Sequence, residues 1–182
     1  MNIKRIVVGR LQANCYILEK DGKVLVIDPG DEFEKIDSEI NGDVVGVLIT
    51  HNHFDHVGAL KQIVKKYNPM LYYHNINDEV SYDKLIDLKE ETYKTNNFKF
   101  DVIYFPGHRN DLCAFYFKEE NIMFDGDFIF ENGLGRVDLP YGDKEEMINS
   151  INKVMSYDDN ILLYPGHGNK TYLGKEKEWI ID

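Results

Sequence analysis

Three of the six histidines in this 182-residue chain fall within six consecutive positions. They lie in the segment His51-Asn52-His53-Phe54-Asp55-His56, directly after an apolar, β-branched run over residues 44–50. At the end of an extended strand, residues two apart point to the same side, so His51 and His53 can converge on one point. The turn into a following helix can bring Asp55 and His56 to a neighbouring point. Imidazole and carboxylate groups in this arrangement suit zinc, and also iron or manganese.

Two further histidines occur in identical contexts, in Pro106-Gly107-His108 and Pro165-Gly166-His167. Each follows an apolar run, and Pro-Gly ends a strand and turns the backbone, so both imidazoles are expected at the carboxyl edge of a sheet. Asp127 follows a third apolar run, and its two oxygens can bridge two cations. The sequence therefore predicts two metal sites that share Asp127, the first with His51, His53 and His108, and the second with Asp55, His56 and His167.

Two other polar residues close to predicted strand ends are candidates of a weaker kind. His74 belongs to no motif and is interpreted as an ordinary strand-end residue. Asp28, in Asp28-Pro29-Gly30, has two open interpretations. It is either a turn former or the outer carboxylate that orients a ligating imidazole.

The elements that must position these residues are visible in the hydrophobic pattern. Strands are predicted over residues 3–8, 15–18, 23–27, 44–50, 70–73, 98–105, 112–117, 122–124 and 161–164, and amphipathic helices over residues 57–67 and 147–155. The first three strands form an antiparallel opening, and later helices alternate with strands. This order indicates a layered domain of α and β elements with one or two mixed sheets. The acidic, weakly periodic residues 75–97 are predicted to form a surface helix pair or a long functional loop.

Composition limits the possible classes of protein. With 43% hydrophobic residues, the chain has enough apolar side chain for the core of one domain, which excludes bulk disorder. Its net charge of −11 disfavours binding to nucleic acids and to anionic membranes. The longest apolar run, residues 44–49, is far shorter than the roughly 20 residues needed to cross a bilayer, and no export signal is visible. A cytoplasmic protein with Cys15 and Cys113 as buried thiols is expected.

The His-x-His-x-Asp-His pattern of residues 51–56 resembles the signature of the metallo-β-lactamase superfamily. The resemblance spans most of the chain and includes residues 14–16 and 26–30. Residues 126–130 and 133–140 are similar to the glyoxalase II-like branch, the hydroxyacylglutathione hydrolases. The resemblance implies an αβ/βα sandwich, with two mixed β-sheets face to face and helices on the outer faces. It implies a single domain over residues 1–182 that lacks the C-terminal helical, glutathione-binding domain of glyoxalase II.

The same resemblance implies a metal-dependent hydrolase, most simply a binuclear thioesterase acting on a small-molecule substrate. A hydroxide bridging two divalent ions, zinc or alternatively iron or manganese, would attack the thioester. Asp55 is both a ligand and the candidate catalytic residue, since it can orient the hydroxide or accept its proton. Arg136 aligns with a residue that contacts glutathione in some relatives, although a structural ion pair explains it equally well.

Arg109 directly follows His108, at a position where the family usually carries Thr or Ser. A cation at that position either weakens metal binding or meets an anionic substrate, so Arg109 is a second candidate for substrate binding. The alternative function is a mononuclear iron persulfide dioxygenase, which needs only His51, His108 and Asp127. A metal-binding protein without turnover is a third possibility. The lack of an export signal disfavours a secreted β-lactamase, and the acidic charge disfavours an RNA-processing nuclease.

Overall fold

The computed structural model describes residues 1–181. Those residues contain fourteen strands and five helices, which in chain order are β1 (Asn2–Val8), β2 (Ala13–Lys20), β3 (Lys23–Ile27), α1 (Phe33–Glu39), β4 (Asp43–Ile49), α2 (Phe54–Val57), α3 (Leu60–Tyr67), β5 (Met70–Tyr73), β6 (Leu85–Asp87), β7 (Thr92–Thr95), β8 (Phe98–Tyr104), β9 (Cys113–Phe117), β10 (Ile122–Gly126), β11 (Ile129–Phe130), β12 (Gly133–Leu134), α4 (Lys144–Val154), β13 (Leu162–Pro165), β14 (Thr171–Tyr172) and α5 (Leu173–Ile181).

Two six-stranded mixed sheets form the frame. The first has the strand order β1-β2-β3-β4-β5-β6, antiparallel from β1 to β3 and parallel from β3 to β6. The second has the order β14-β13-β10-β9-β8-β7, in which β10 and β13 are parallel and the other pairs are antiparallel. The central strand β4 is apolar along nearly its whole length because both of its faces are covered.

Three apolar layers hold the sheets and helices together. The outer face of the first sheet packs on α1 and α3 through Val26, Val47, Ile36, Leu60 and Ile63. The middle layer lies between the sheets and contains Leu25, Leu48, Phe100, Phe115 and Phe124. The outer face of the second sheet packs on α4 and α5 through Met123, Leu163, Met147, Val154 and Leu173. This arrangement of helix, sheet, sheet and helix confirms the predicted αβ/βα sandwich.

At one edge of the sandwich the two sheets are joined by direct hydrogen bonds. The backbone N–H of Cys113 donates to the carbonyl of Thr50 at 2.9 Å, and the N–H of Asn14 donates to the carbonyl of Gly166 at 2.7 Å. The Tyr16 hydroxyl, buried between the sheets, donates to the carbonyl of Pro165 at 2.6 Å. We refer to this edge as the seam.

The structure differs from the predicted elements in several places. Helix α1 and the two-residue strands β11, β12 and β14 were not predicted. Residues 75–97 form no helix pair; they contain the short strands β6 and β7, which are edge strands of different sheets, joined by irregular segments. Helix α5 was not predicted, because its apolar residues have only weak helical periodicity. Cys15 and Cys113 are buried free thiols, as expected. Within residues 1–181, the helices are all too short or too polar to cross a membrane.

Candidate metal centre

Strands of both sheets end at the seam, and the predicted ligands follow them. His51 and His53 come after β4, Asp55 and His56 lie in the one-turn helix α2, His108 comes after β8, Asp127 after β10, and His167 after β13. The four residues of the 51–56 motif therefore come from the first sheet and the other three from the second. The structure brings all seven side chains together.

The first predicted group is compact. His53 Nδ1 lies 3.1 Å from His51 Nε2 and 2.9 Å from His108 Nε2. Asp127 Oδ2 lies 3.4 Å from His108 Nε2. Three imidazole nitrogens and one carboxylate oxygen thus face a common point.

The second predicted group lies beside the first. His167 Nε2 is 3.2 Å from Asp55 Oδ2, which is 3.7 Å from His56 Nε2. Asp127 reaches this group with both oxygens, since Oδ1 lies 3.4 Å from His56 Nε2 and Oδ2 lies 3.5 Å from His167 Nε2. Asp127 therefore faces both groups at once, which is the geometry of a bridging carboxylate.

The separations and the unpaired atoms fit metal coordination. A tetrahedral ion with bonds of about 2.1 Å has ligand-to-ligand edges of about 3.4 Å, close to the observed separations. His56 Nε2 and Asp127 Oδ1 are buried and have no hydrogen-bond partner within residues 1–181. A buried polar atom without a partner is costly, and a shared cation would satisfy both atoms.

Hydrogen bonds on the far side of three rings select the nitrogen that faces the centre. His108 Nδ1 donates to the carbonyl of Arg136 at 2.7 Å, and His56 Nδ1 donates to Asp28 Oδ2 at 2.9 Å. His51 Nδ1 lies 3.0 Å from the hydroxyl of Thr50, which itself donates to Asp28. In each ring Nε2 is left with its lone pair directed into the centre, as a metal ligand requires.

The electrostatic environment differs between the two groups. Burial, reinforced by the neighbouring imidazoles, lowers the pKa of His51 well below 6.5, and burial together with His108 lowers the pKa of His53 to about 4. Both rings are therefore neutral at pH 7. Burial also opposes the charged form of His56, but Asp127 and Asp28 outweigh it and raise the pKa of His56. Burial raises the pKa of Asp127, yet His56 and the other imidazoles outweigh it, and the pKa falls to about 2. The carboxylates around the second group therefore stabilise a positive charge at that position.

Asp28 occupies the position of an orienting carboxylate. Its Oδ1 accepts from the N–H of Thr50 at 2.8 Å, and its Oδ2 accepts from the Thr50 hydroxyl at 2.6 Å as well as from His56. Asp28 is almost fully buried and has a φ of 49°. These contacts support its interpretation as an outer partner of the ligands over that of a simple turn former.

The glycines of the two Pro-Gly-His segments serve different purposes. Gly107 has a φ of 143°, and a Cβ there would lie 2.5 Å from the Cα of Met147. Gly166 is needed for close approach, because a Cβ there would lie 2.2 Å from Asp127 Oδ1 and 2.7 Å from His56 Cε1. The first glycine therefore fits a turn against α4, and the second leaves space inside the centre.

A cavity of about 430 Å³ opens onto the centre. His53, Asp55, His108, Asp127 and His167 form its floor, and its walls are mostly apolar, with Leu11, Phe54, Phe130, Leu134 and Leu139. Phe54 is 73% exposed and Leu11 is 53% exposed at the mouth. An exposed apolar rim around polar groups is typical of a small-molecule site.

The two predicted substrate-binding arginines lie in different environments. Arg136 lines the cavity, and its exposed guanidinium makes two 2.7 Å hydrogen bonds to Asp138. Arg109 is buried and does not line the cavity; its guanidinium pairs with Asp111 at 2.7 Å and with Glu79. The two carboxylates offset the charge of Arg109, and its contacts support a structural role instead of a substrate contact.

Several residues beside the centre were not identified by the sequence reasoning. Thr50 bridges His51 and Asp28, and Tyr73 and Glu79 contact Asp111 and Arg109 respectively. A polar residue ending the apolar run before the motif is a signal for Thr50, whereas Glu79 has no distinguishing sequence signal. His74, interpreted as an ordinary residue, stacks on Tyr104 with ring centroids 4.1 Å apart.

The family model of the metallo-β-lactamase superfamily matches residues 8–167. Hydroxyacylglutathione hydrolase GloC of Haemophilus influenzae is 32% identical over 97% of this chain and 95% of its own length. Among solved structures, BLEG-1 B3 metallo-β-lactamase has a TM-score of 0.85 at 26% identity and covers 97% of both chains. The protein TTHA1623, solved in a di-iron-bound form, has a TM-score of 0.82 at 30% identity and covers 95% of this chain and 96% of its own.

The chain belongs to the metallo-β-lactamase superfamily. Membership, together with three His/Asp groupings that can hold a metal ion, identifies it as a metal-dependent enzyme of this hydrolase superfamily. An enzyme of this class acts on a small-molecule substrate. The predicted family resemblance is thereby confirmed.

Proposed function

We propose that the protein is a glyoxalase II-like thioesterase that holds two divalent metal ions, zinc being the first choice. The observation that carries the proposal is Asp127, whose carboxylate lies within 3.5 Å of imidazoles from both ligand groups. The similarity to the Haemophilus influenzae hydroxyacylglutathione hydrolase supports the substrate class.

The first ion would be held by His51, His53, His108 and Asp127, and the second by Asp55, His56, His167 and Asp127. Divalent ions at these positions supply positive charge that polarises a substrate carbonyl and lowers the pKa of a coordinated water. The mixed imidazole and carboxylate donors accept zinc, iron and manganese alike. The di-iron form of TTHA1623 supports iron as an alternative metal.

Asp55 is the residue proposed to handle the proton. Burial raises its pKa, but the hydrogen bond to His167 and the charge of His56 outweigh burial, so the pKa lies below 3.8. Asp55 is therefore a carboxylate at pH 7 and lines the cavity. It can orient an attacking water and accept its proton while the thiolate leaves.

The cavity walls support an acyl thioester as substrate. Phe54, Phe130 and Leu134 can cover the hydrocarbon part of the substrate and keep bulk water from the reacting carbonyl. Arg136 is the proposed contact for a substrate carboxylate. Its pairing with Asp138 is exposed on both sides, and exposed pairs are weak enough to exchange with a ligand.

The experiment is hydrolysis of S-D-lactoylglutathione by zinc-loaded protein, followed by loss of thioester absorbance. We expect saturable turnover, with kcat/KM reduced at least about 100-fold in Asp55→Ala because proton handling is lost. Asp37→Asn is the matched control, since it removes a carboxylate remote from the cavity and should keep wild-type turnover.

Absence of turnover from protein that holds its metal would contradict the thioesterase proposal. The same samples, loaded with iron and given glutathione persulfide, test the dioxygenase alternative by oxygen consumption. The ligand residues alone do not separate the two functions, so the metal that supports activity and oxygen consumption with glutathione persulfide are the readouts that distinguish them.

A further inference from the structure

Asp111 lies three residues after His108 and is fully buried. Its Oδ2 accepts hydrogen bonds from the hydroxyl of Tyr73 at 2.5 Å and from the backbone N–H of Asn52 at 3.1 Å. Its Oδ1 accepts from Nε of Arg109 at 2.7 Å. A buried carboxylate with three donors is held in one position, because losing any partner would leave its charge less well satisfied.

Arg109 connects Asp111 to two other segments of the chain. Its guanidinium also pairs with Glu79, from the irregular segment before β6, and lies 4.7 Å from the ring centroid of Tyr141. Glu79 in turn accepts from the side-chain amide of Asn52 at 3.2 Å. Asn52 is therefore held twice, by Asp111 at its backbone and by Glu79 at its side chain.

Asn52 stands between His51 and His53, and Arg109 directly follows His108. We refer to Glu79, Arg109 and Asp111 as the cluster. His108 is covalently bonded to Arg109 of the cluster, and His51 and His53 are covalently bonded to Asn52, which the cluster holds through hydrogen bonds. In the described residues, the cluster makes no hydrogen bond or ion pair to Asp55, His56 or His167. Its effect should be confined to the first group.

We propose that Glu79, Arg109 and Asp111 are positioning residues that hold the His51, His53 and His108 group in metal-binding geometry. The proposal rests on the metal centre proposed above and not on the identity of the substrate. It assigns a role to Arg109, which stands after His108 where the family usually carries Thr or Ser. It also gives the segment around Glu79 a role at the centre, although Glu79 does not line the cavity.

The test uses Asp111→Asn and Glu79→Gln, which keep side-chain shape and remove charge. Asp37→Asn is the matched control, because Asp37 is likewise held by a cation and a tyrosine hydroxyl, those of Lys66 and Tyr67, but lies far from the centre. Affinity for Co(II) is measured by competition with a chelator, and the visible spectrum of the Co(II) protein reports ligand geometry. Thermal unfolding of metal-free protein measures stability separately.

We expect Asp111→Asn to weaken binding of one Co(II) about tenfold or more and to change its visible spectrum. Glu79→Gln alters a side chain that is 29% exposed and therefore perturbs the core less; it should change both in the same direction by a smaller factor. Asp37→Asn should alter neither. Wild-type affinity and spectrum in a folded Asp111→Asn or Glu79→Gln protein would overturn the proposal, as would a wild-type protein that binds no Co(II). Wild-type protein that binds Co(II) but hydrolyses no thioester would contradict the proposed function and leave this inference standing.

Discussion

At the scale of single residues, the centre depends on atoms that never face the substrate. Thr50 and Asp28 determine which nitrogens of His51 and His56 remain free, and the carbonyl of Arg136 does the same for His108. The orientations of these three rings are therefore fixed by the protein before any metal arrives. This preorganisation lowers the cost of assembling the ligands.

The second ligand group leaves no space for a side chain at Gly166. A methyl group there would overlap Asp127 Oδ1 and His56, so Gly166→Ala should displace one of these ligands and lower metal affinity at least about tenfold. Gly133→Ala is the control, because its Cβ would have no neighbour closer than 3.9 Å. Metal content after equilibration with a chelator provides the measurement. Equal metal content in the two variants would remove His56 and Asp127 from the ligand set.

Residue spacing was sufficient to predict the seven side chains that the structure brings together. The histidine motif and the repeated Pro-Gly-His segments are local signals, and strand ends impose a common direction on them. The environment of Arg109 could not be predicted, because Glu79 lies 30 positions away and reaches it only through the packing of an irregular segment. Long-range polar contacts of this kind leave no periodic trace in a sequence.

At the scale of secondary-structure elements, one carboxylate of α1 accepts hydrogen bonds from two residues of α3, in addition to the apolar packing between the two helices. Both oxygens of Asp37 in α1 lie 2.6 Å from Nζ of Lys66, and the hydroxyl of Tyr67 donates to the same carboxylate. The hydrogen bond from Lys66, and next that from Tyr67, lowers the pKa of Asp37 below 3.8. Asp37 therefore stabilises the fold above its unfolded pKa, and that contribution is lost as pH falls through the lowered pKa.

Asp37→Asn should consequently lower the melting temperature by about 2 °C at pH 7, the scale of a partly exposed ion pair. The difference from wild type should stay constant between pH 7 and pH 5 and shrink below pH 3.8. Melting temperatures of both proteins at a series of pH values measure it. A difference that grows toward acid pH would contradict the assigned direction of the pKa shift.

Strands with continuous or alternating apolar residues, such as β4 and β8, could be predicted because burial on one or both faces imposes the pattern. Strand β6 is only three residues long, and β7 has four residues and is mostly polar. They exist because a neighbouring strand offers hydrogen bonds at a sheet edge, which is a tertiary effect. The same reasoning explains why residues 75–97 looked irregular in the sequence.

At the scale of the whole molecule, the predicted metal ligands come from two sheets that meet through apolar packing and the hydrogen bonds of the seam, so a bound ion would join the sheets. Binding of a metal to the folded state alone must add stability. At a free metal concentration 100 times the Kd the gain is about 2.7 kcal/mol, which is about 5–10 °C in a chain of this size. Differential scanning fluorimetry of chelator-treated protein, before and after addition of zinc, measures the shift. An unchanged melting temperature at saturating zinc would mean that the centre does not bind it in the folded state.

The sandwich itself was predictable, because the order of strands and helices permits few layered arrangements. The pairing of β10 with β13 was less accessible, since α4 and 35 residues separate the two strands. The single-domain boundary over residues 1–182 stays a prediction.

Each six-stranded sheet is built from one half of the chain, the first from β1 to β6 within residues 2–87 and the second from β7 to β10, β13 and β14 within residues 92–172. The four ligands of the first half leave the ribosome well before His108, Asp127 and His167. Until the second half of the chain is in place and Gly166 meets Asn14 across the seam, those early residues lack His108, Asp127 and His167 beside them. The complete set of seven side chains is therefore available only after nearly the whole chain has been translated.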